Sequence, residues 1–351
     1  MYWKYVVRRI LYAALIMVVC VFIFSALFNT VADKVMRGQI DEQVKGEIVQ
    51  IQKSNRGMHP EQLQAIRDQR TAQLYAQYHL NEPMMQRIMY RTLSSLVFNF
   101  GTSTQMKSLA GSNNVNTIIY ERIPRTLLLF GVAAVLDIIL GVWLGLVKAR
   151  RAGKMMDRST DLVTMVLFGL PLWWLGMMFI MLFAFAIPIF PSSAMHASPP
   201  PADALGNFLD LMHHLALPVI TIVLFGFWGR AYITRNLVVS TLQEDFIMSA
   251  RARGLSERRI LFGHTLRSAA PPIVTMSLLA LVVSIGGGLI FEGIFSWPGL
   301  GNLYWQAVQQ NDVPVLMADL MVTTVLFIAC LAFLDLIYGF LDPRVKVGGK
   351  A

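Results

Sequence analysis

The sequence predicts an all-α membrane protein with six transmembrane helices. Three observations predict this class: the 351-residue chain is 55% hydrophobic, only 15% of its residues are charged, and its apolar residues gather in long runs. A helix needs roughly 20 residues to cross the hydrocarbon core of a bilayer, and each run is about that long. The six runs cover residues 10–28, 127–147, 162–190, 215–237, 272–291 and 313–341.

The charges and cysteines exclude several other classes of protein. The net charge is +9, but the basic residues are distributed between the apolar runs and form no single face of the kind that binds nucleic acid. Cys20 and Cys330 both fall inside apolar runs, so their positions predict neither a disulfide framework nor a metal site. His213 and His214 are adjacent and point apart on a helix, which favours an interfacial pair over metal ligands.

The basic residues also predict the orientation in the membrane. Eighteen Lys and Arg residues fall on one side, in the N-terminus, in 148–158, in 229–270 and after residue 341, whereas 191–214 and 292–312 contain none. Because short cytoplasmic loops carry the excess of Lys and Arg, both termini are expected to face the cytoplasm.

The first run is expected to be an uncleaved anchor, because its uncharged length exceeds that of a typical signal peptide. The expected organisation is a tail and first span at 1–32, an extracytoplasmic helical lid at 33–120, a five-helix core at 121–341 with a loop at 242–270, and a cytoplasmic tail at 342–351. Within the lid, apolar residues at helical spacing and the starts at Pro60 and 81–83 predict three helices.

The most informative polar stretch lies between the fourth and fifth runs. Good helix formers over 242–253 lead to Gly254, which suits the left-handed position that ends a helix. Ser256 is placed to cap a second helix, and Glu257 lies in its first turn, where the helix dipole favours an acid. The second helix is expected to continue to 271–272, where two prolines open the next apolar run.

The small residues beside this turn, Ala250 and Ala252, are expected to let another protein approach the backbone closely. On composition alone, the arginines of the stretch would only mark a cytoplasmic loop. The order of the residues points further. It is carried by Ala250, Arg253, Gly254, Leu255, Ser256, Glu257, Arg258, Arg259, Phe262, His264, Leu266, Arg267 and Pro272.

This order resembles the coupling loop of permease subunits of binding-protein-dependent ABC transporters, and more narrowly the first permease subunit of dipeptide and oligopeptide importers. The general family motif begins Glu, Ala, Ala, where this chain has Met248, Ser249 and Ala250. The resemblance extends over nearly the whole chain apart from an added amphipathic helix around 37–55. We expect that helix to pack on its own lid; the alternative is an altered docking surface for a substrate-binding protein.

The resemblance implies a non-catalytic pathway subunit in the cell membrane of a prokaryote. The chain has no Gly-x-x-x-x-Gly-Lys phosphate loop, so it is expected to bind no cofactor, and ATP and Mg are assigned to partners. The implied partners are a second homologous permease subunit, two ATPase subunits, an extracytoplasmic substrate-binding protein and membrane lipid. The implied ATPase-coupling residues are Ala250, Arg251, Arg253, Gly254, Leu255, Ser256, Glu257, Arg258 and Arg259.

Three residues are candidates for lining the pathway: Asp137, Pro171 and Trp174. The alternatives are that Asp137 pairs structurally with another residue, as such acids often do, and that the kink at Pro171 only packs against its neighbours. A lone Asp at the centre of a membrane helix costs roughly 2.5 to 3.5 kcal/mol, so Asp137 should face protein or water, where it could contact cationic groups of a substrate.

Relatives carry peptides, glutathione, nickel complexes or oligosaccharides, and peptides are expected here. The alternative class is an ion-coupled secondary transporter or channel, with Asp137, Asp319 and Asp335 as a relay.

Overall fold

The structure, a computed structural model, describes residues 2–54, 59–284 and 288–341. Within these ranges the chain is almost entirely helical and forms no strand, apart from an isolated bridge between Thr102 and Asn114. The all-α class is therefore confirmed for the described residues. The predicted cytoplasmic tail at 342–351 lies outside them.

Thirteen α-helices are described, and two of them continue into short π-helical turns. The first six are α1 (Tyr2–Ser54), α2 (Pro60–Gln77), α3 (Met84–Leu96), α4 (Val115–Arg150), α5 (Met155–Phe168) and α6 (Leu172–Ile180), the last followed by a π-helix at Met181–Ala186. The next three are α7 (Ala204–Leu242), α8 (Asp245–Ala252) and α9 (Glu257–Arg259), the last followed by a π-helix at Ile260–Thr265. The remaining four are α10 (Leu266–Ser284), α11 (Leu289–Ile294), α12 (Leu300–Gln309) and α13 (Val313–Leu341).

Four helical stretches are long and apolar enough to cross a membrane: Val6–Val31, Val115–Arg150, Ala204–Leu242 and Val313–Leu334. A fifth is formed if α5 and the helix Leu172–Ala186 count as one broken span. The predicted span at 272–291 includes residues 285–287, which lie outside the described residues, and it stays a prediction.

The third predicted span is sharply broken. The sequence predicts an apolar helix interrupted at Gly169 and Pro171, and the structure bends it by 96° there. Pro171 has an extended backbone and stands at the N-cap of α6. At the N-cap its fixed φ and missing N–H cost no hydrogen bond within the helix, so α6 begins directly after Pro171.

The described chain divides into two compact units. One contains the described parts of Met1–Arg9, Arg122–Leu303 and Leu326–Ala351, and the other contains Ile10–Glu121 and Tyr304–Val325. The second unit includes the predicted lid together with apolar stretches that the sequence assigns to the first and last spans.

In the second unit, α1 runs without a break from its apolar part into the lid, so the predicted first span and the amphipathic helix around 37–55 are one helix up to Ser54. Ile40 and Val44 are buried against Leu74 and Leu80. The amphipathic helix therefore packs on its own lid, as predicted. The predicted helix starts at Pro60 and at 81–83 are also confirmed by α2 and α3.

In the second unit, the buried carboxylate of Asp312 holds the loop that precedes α4. Asp312 is fully buried, and its Oδ2 accepts hydrogen bonds from Ser103 Oγ at 2.5 Å and from the backbone N–H of Gln105 at 3.0 Å. Asp312 also stands just before α13, and its Oδ1 lies 3.4 Å from the backbone nitrogen of Val315. The carboxylate therefore caps α13 and holds the loop before α4 at the same time.

In the first unit, a buried polar cluster joins the start of α4 to the loop between α11 and α12. Glu292 is fully buried; its Oε1 accepts from Thr126 Oγ1 at 2.8 Å and its Oε2 from the backbone N–H of Asn302 at 3.0 Å. The fully buried Trp297 donates its indole N–H to Arg125 O at 2.9 Å. Burial raises the pKa of Glu292 to about 7, although the hydrogen bonds from Asn302 and Thr126 act in the opposite direction.

Position 299 has room only for glycine, because the polar groups of this cluster lie directly beside its backbone. A Cβ at this position would lie 2.4 Å from both carboxylate oxygens of Glu292 and 2.4 Å from Thr126 Oγ1. We expect Gly299→Ala to destabilise the protein by about 1–3 kcal/mol through overpacking. Thermal unfolding of the purified protein in detergent would measure this loss.

Gly293→Ala is the matched control, because a Cβ there would meet nothing within 4 Å and Gly293 lies in a regular helix. Its melting temperature should stay at or slightly above that of the unsubstituted protein. Equal losses in the two variants would contradict the assignment of Gly299 to a crowded site.

Candidate functional site

The stretch singled out by the sequence forms a helix, a glycine turn and a second helix. α8 ends at Ala252, and Gly254 adopts a φ of +77°, the left-handed conformation that the sequence predicts. Gly254 N donates to Arg251 O at 2.9 Å and Leu255 N donates to Ala250 O at 3.3 Å, which closes the turn. We refer to residues 242–270 as the coupling loop, after the role that the resemblance predicts for them.

The inside of the coupling loop is a small apolar core. Ile247, Ala250 and Ile260 are buried, and Leu242 and Leu255 pack against them. Ala250 is therefore enclosed by the loop and is not displayed beside the turn, whereas Ala252 is exposed. The small side chain of Ala250 allows α8 to pack against the π-helix Ile260–Thr265, because a larger side chain would separate them.

The outside of the coupling loop carries seven of the predicted coupling residues, whereas Leu255 packs on the inside. Those that are exposed are Arg251, Arg253, Gly254, Ser256, Glu257, Arg258 and Arg259. Arg251 Nε lies 2.9 Å from Glu257 Oε1, but both side chains are largely solvated, so this ion pair adds little stability. Ser256 stands at the predicted N-cap of α9, yet its side chain makes no capping hydrogen bond.

An open depression on this outer surface is lined by Ser256, Arg258, Arg259, Phe262 and Gly263. The ring of Phe262 is about half exposed. Arginine and exposed aromatic side chains are the residue types enriched at protein–protein contacts. The depression therefore has the composition of a docking surface for another protein.

The coupling loop is attached rigidly to the long helices. The chain passes from α9 through the π-helix into α10, and Pro271 and Pro272 lie inside α10, so the prediction that the second helix stops before them is wrong. Leu261, Ala269 and Ile273 pack against Ala149 and Val238, at the ends of α4 and α7. The coupling loop therefore packs directly against the ends of two long helices.

α4 and α7 approach each other closely at two glycines. A Cβ on Gly141 would lie 2.7 Å from Arg230 Cβ, and one on Gly145 would lie 2.8 Å from the backbone oxygen of Ala231. Two glycines four residues apart lie on one helix face and allow close packing of membrane helices. The sequence reasoning did not use this spacing, although it was a readable signal.

Two ion pairs hold the start of α5 against α4 and α7. Lys148 is fully buried, and its Nζ lies 2.7 Å from Asp161 Oδ1. Arg235 donates from Nη2 to Asp157 Oδ2 at 2.6 Å and from Nε to Asp157 Oδ1 at 3.2 Å. The buried members of these pairs are Lys148 and Asp157. Each needs its partner, because an unpaired charge in an apolar interior is strongly unfavourable.

Asp137, predicted as a pathway residue, has a partner that the sequence did not identify. Arg230 on α7 donates from Nε to Asp137 Oδ2 at 2.6 Å, and both side chains are mostly buried. The other oxygen, Oδ1, is buried and accepts no hydrogen bond from the described residues. A Cβ on Gly226 would lie 2.8 Å from that oxygen, so the glycine leaves room for it.

The other predicted pathway residues lie at the break between α5 and α6. Pro171 is exposed on the surface of this chain and the indole of Trp174 is 38% exposed. Behind them, Gly176 is buried, and a Cβ there would lie 3.1 Å from the ring of Phe295. The break therefore presents Pro171 and Trp174 outward while α6 packs on α11. Their role in a pathway stays a prediction.

The remaining candidate groups do not form a further reactive site. His213 Nε2 lies 2.8 Å from Ile189 O, and His214 Nδ1 lies 3.0 Å from Asp210 O. Among the described residues, no group of three or more His, Cys, Asp or Glu is arranged to hold a metal ion. Asp319 is buried, and the side chain of Asp335 lies outside the described residues.

Comparison with known proteins gives consistent matches. The family described as "Binding-protein-dependent transport system inner membrane component" matches residues 138–347. The oligopeptide transport system permease protein AppB of Bacillus subtilis is 31% identical over 82% of this chain and 88% of its own length. The dipeptide transport system permease protein DppB of Escherichia coli is 29% identical over 86% of this chain and 91% of its own length.

The pairing of Asp137 with Arg230 gives a testable prediction about stability. Arg230→Met leaves a buried carboxylate uncompensated and should destabilise the protein by about 3–5 kcal/mol. The double substitution Asp137→Ala with Arg230→Met removes both charges and should recover part of this loss. Thermal unfolding in neutral detergent measures both effects, and a double variant at least as unstable as the single one would contradict the pairing.

Proposed function

This chain belongs to the family of binding-protein-dependent transport system inner membrane components, and on that premise we propose that it is a transmembrane pathway subunit of an ATP-driven ABC importer. Family membership favours this function over the ion-coupled transporter or channel that intramembrane acids alone would allow. In the proposed assembly, substrate passes from an external binding protein to the cytoplasm by alternating access.

The proposed topology has six spans, both termini in the cytoplasm and the type I importer permease fold. It is supported by the four or five candidate spans of the described chain and by the apolar run at 272–291. The distribution of Lys and Arg supports the orientation, because it assigns the coupling loop to the cytoplasmic side. The lid is then extracytoplasmic, where it can meet a substrate-binding protein.

The observation that carries the proposal is the construction of the coupling loop. It has a buried apolar core, an exposed surface of arginines around Phe262, and packed contacts to the ends of α4 and α7. An element of this kind can receive a push from a partner and pass it to the spanning helices as a rigid body. We propose that the partner is an ATPase subunit bound at the outer surface.

The chain has no phosphate-binding loop, so in this proposal it is not an enzyme. Two ATPase subunits bind ATP and Mg, hydrolyse the nucleotide and move the coupling loops. A second, homologous permease subunit completes the pathway. Because the relatives AppB and DppB are named as permeases of oligopeptide and dipeptide transport systems, we propose di- and oligopeptides as the substrate class.

The coupling role predicts a separation of ATP hydrolysis from transport. Gly254→Val places a β-branched residue at a φ of +77°, a conformation that such a residue rarely adopts. We expect the reconstituted complex to keep at least half of its rate of ATP hydrolysis, while its rate of substrate uptake falls tenfold or more. The reason is that the substitution displaces the outer surface of the coupling loop. ATPase rate and uptake would be measured on the same proteoliposomes.

Gly263→Ala is the control, since Gly263 borders the same depression but has no positive φ, and a Cβ there would make only ordinary contact with Arg259. It should leave uptake per ATP unchanged. Full coupling in Gly254→Val would refute the coupling role of the turn. Uptake by the assembly without its ATPase subunits would refute the proposed function as a whole.

We also propose that Asp137 lines the pathway in a state of the transport cycle in which α4 and α7 expose its Oδ1, which is buried here without a hydrogen-bond partner among the described residues and can accept a hydrogen bond from a cationic group. Asp137→Asn should then reduce the uptake of peptides with a free amino group or a Lys side chain more than that of N-acetylated neutral peptides. Competition between labelled peptides in proteoliposomes measures this preference. An equal effect on both classes of peptide would assign Asp137 to helix packing alone.

A further inference from the structure

A cavity of about 250 Å³ lies within the second unit, enclosed by α1, α3 and the first turn of α13. Its wall combines cationic, hydroxyl and apolar side chains. Those that matter most are Met36, Arg87, Tyr90, Arg91, Ser94 and Met317. The residues that line it belong to the second unit, whereas the coupling loop and the predicted pathway residues belong to the first.

The charges around this cavity are unbalanced. Arg87 Nη1 contacts Asp33 Oδ2, and Arg91 Nη2 lies 2.9 Å from Asp33 Oδ1, so a single carboxylate serves two guanidinium groups. The three side chains are only 13–16% exposed. Glu82, the acid nearest to Arg87 in sequence, forms a hydrogen bond with His79. One positive charge is therefore left over in a poorly hydrated place, where a charge is unfavourable without a partner.

The hydrogen-bonding capacity of the two arginines is also incompletely used. Arg91 Nη1 donates to Asn29 Oδ1 at 2.9 Å, but the Nε–H of Arg87 is buried and has no acceptor. Burial lowers the pKa of Arg91; Asp33 raises it, and Arg87 adds to the lowering. An arginine fork that lacks an acceptor is matched in shape and charge by a carboxylate or a phosphate.

The cavity also lies where apolar helices begin and end. Asn29 and Asp33 stand at the end of the apolar stretch Val6–Val31, and Met317 belongs to the first turns of Val313–Leu334. Val313 and Met317 pack against Val21 in one apolar cluster, so the two stretches run side by side there. A molecule in the cavity can therefore place a polar group against the arginines and an apolar group along the helices.

We propose that this cavity binds the oxyanion group, phosphate or carboxylate, of an amphiphilic molecule at the membrane boundary. The guanidinium groups of Arg87 and Arg91, which share one carboxylate, hold the oxyanion. Tyr90 and Ser94 offer hydroxyl groups beside it, and Met36 and Met317 contact the apolar part. The anionic headgroup of a membrane phospholipid and a free oxyanion share this chemistry, and the experiment separates them.

The test uses the purified full-length chain, with any subunits that copurify, in a neutral detergent. The probes are a short-chain phosphatidylglycerol, the corresponding phosphatidylcholine and inorganic phosphate, and the readouts are thermal stabilisation and retention of the probe in native mass spectrometry. We expect saturable stabilisation by phosphatidylglycerol at concentrations at least tenfold below those needed for phosphatidylcholine.

Three variants identify the cavity as the site. Arg87→Gln removes the surplus charge, and Ser94→Leu fills the cavity without changing any charge, so it remains informative if loss of Arg87 impairs folding. Arg67→Gln is the matched control, because it changes the net charge equally at an exposed position of α2 outside the cavity. We expect tenfold weaker binding in the first two variants and unchanged binding in the control.

Saturation by inorganic phosphate with the same sensitivity to Arg87→Gln and Ser94→Leu would support the site and identify a free oxyanion as sufficient. Saturation by phosphatidylglycerol alone would support the site and identify a lipid. The proposal is overturned if neither anion binds saturably, if phosphatidylcholine binds equally well, or if Ser94→Leu binds as the unsubstituted protein does.

Discussion

A polar group buried in the apolar interior of a protein has no water to bond with, so it must find a partner within the chain, and this constraint shapes the described helices. Asp137 is joined to Arg230 and Asp157 to Arg235 across helices that are distant in sequence, and Lys148 is joined to Asp161 across the consecutive helices α4 and α5. The buried Glu292 is likewise surrounded by donors from the start of α4 and from α12. Because each partner must be close and oriented, these contacts fix how the helices of the first unit pack.

The same constraint explains why the coupling loop is suited to transmit movement. α4 and α7 pack closely at Gly141 and Gly145 and are joined by the Asp137–Arg230 pair, so their ends form one packed surface. Leu261 and Ala269 of the coupling loop, together with Ile273 just after it, pack against those helix ends. The proposed coupling role relies on this packing, because tightly packed helices move as units.

The second unit shows what the added helix around 37–55 contributes. It is continuous with the apolar part of α1 and packs on α2 through Ile40 and Val44, which makes the lid an extension of a spanning helix. This continuity places Asp33 beside Arg87 and Arg91 and encloses the cavity. Residues that the sequence analysis assigned only to a helical lid thus form a chemically distinct site.

The sequence by itself determined the class, the lid helices, the left-handed Gly254 and the family, because these depend on apolar runs, local backbone preferences and the order of residues along the chain. Tertiary structure alone decided the partner of Asp137, the burial of Ala250, the 96° bend at Pro171 and the position of Pro271 and Pro272 inside a helix. Arg230 lies 93 residues from Asp137, and no local pattern records such a distance. Ion pairing, burial and bending depend on which helices meet, and that is settled only when the chain packs.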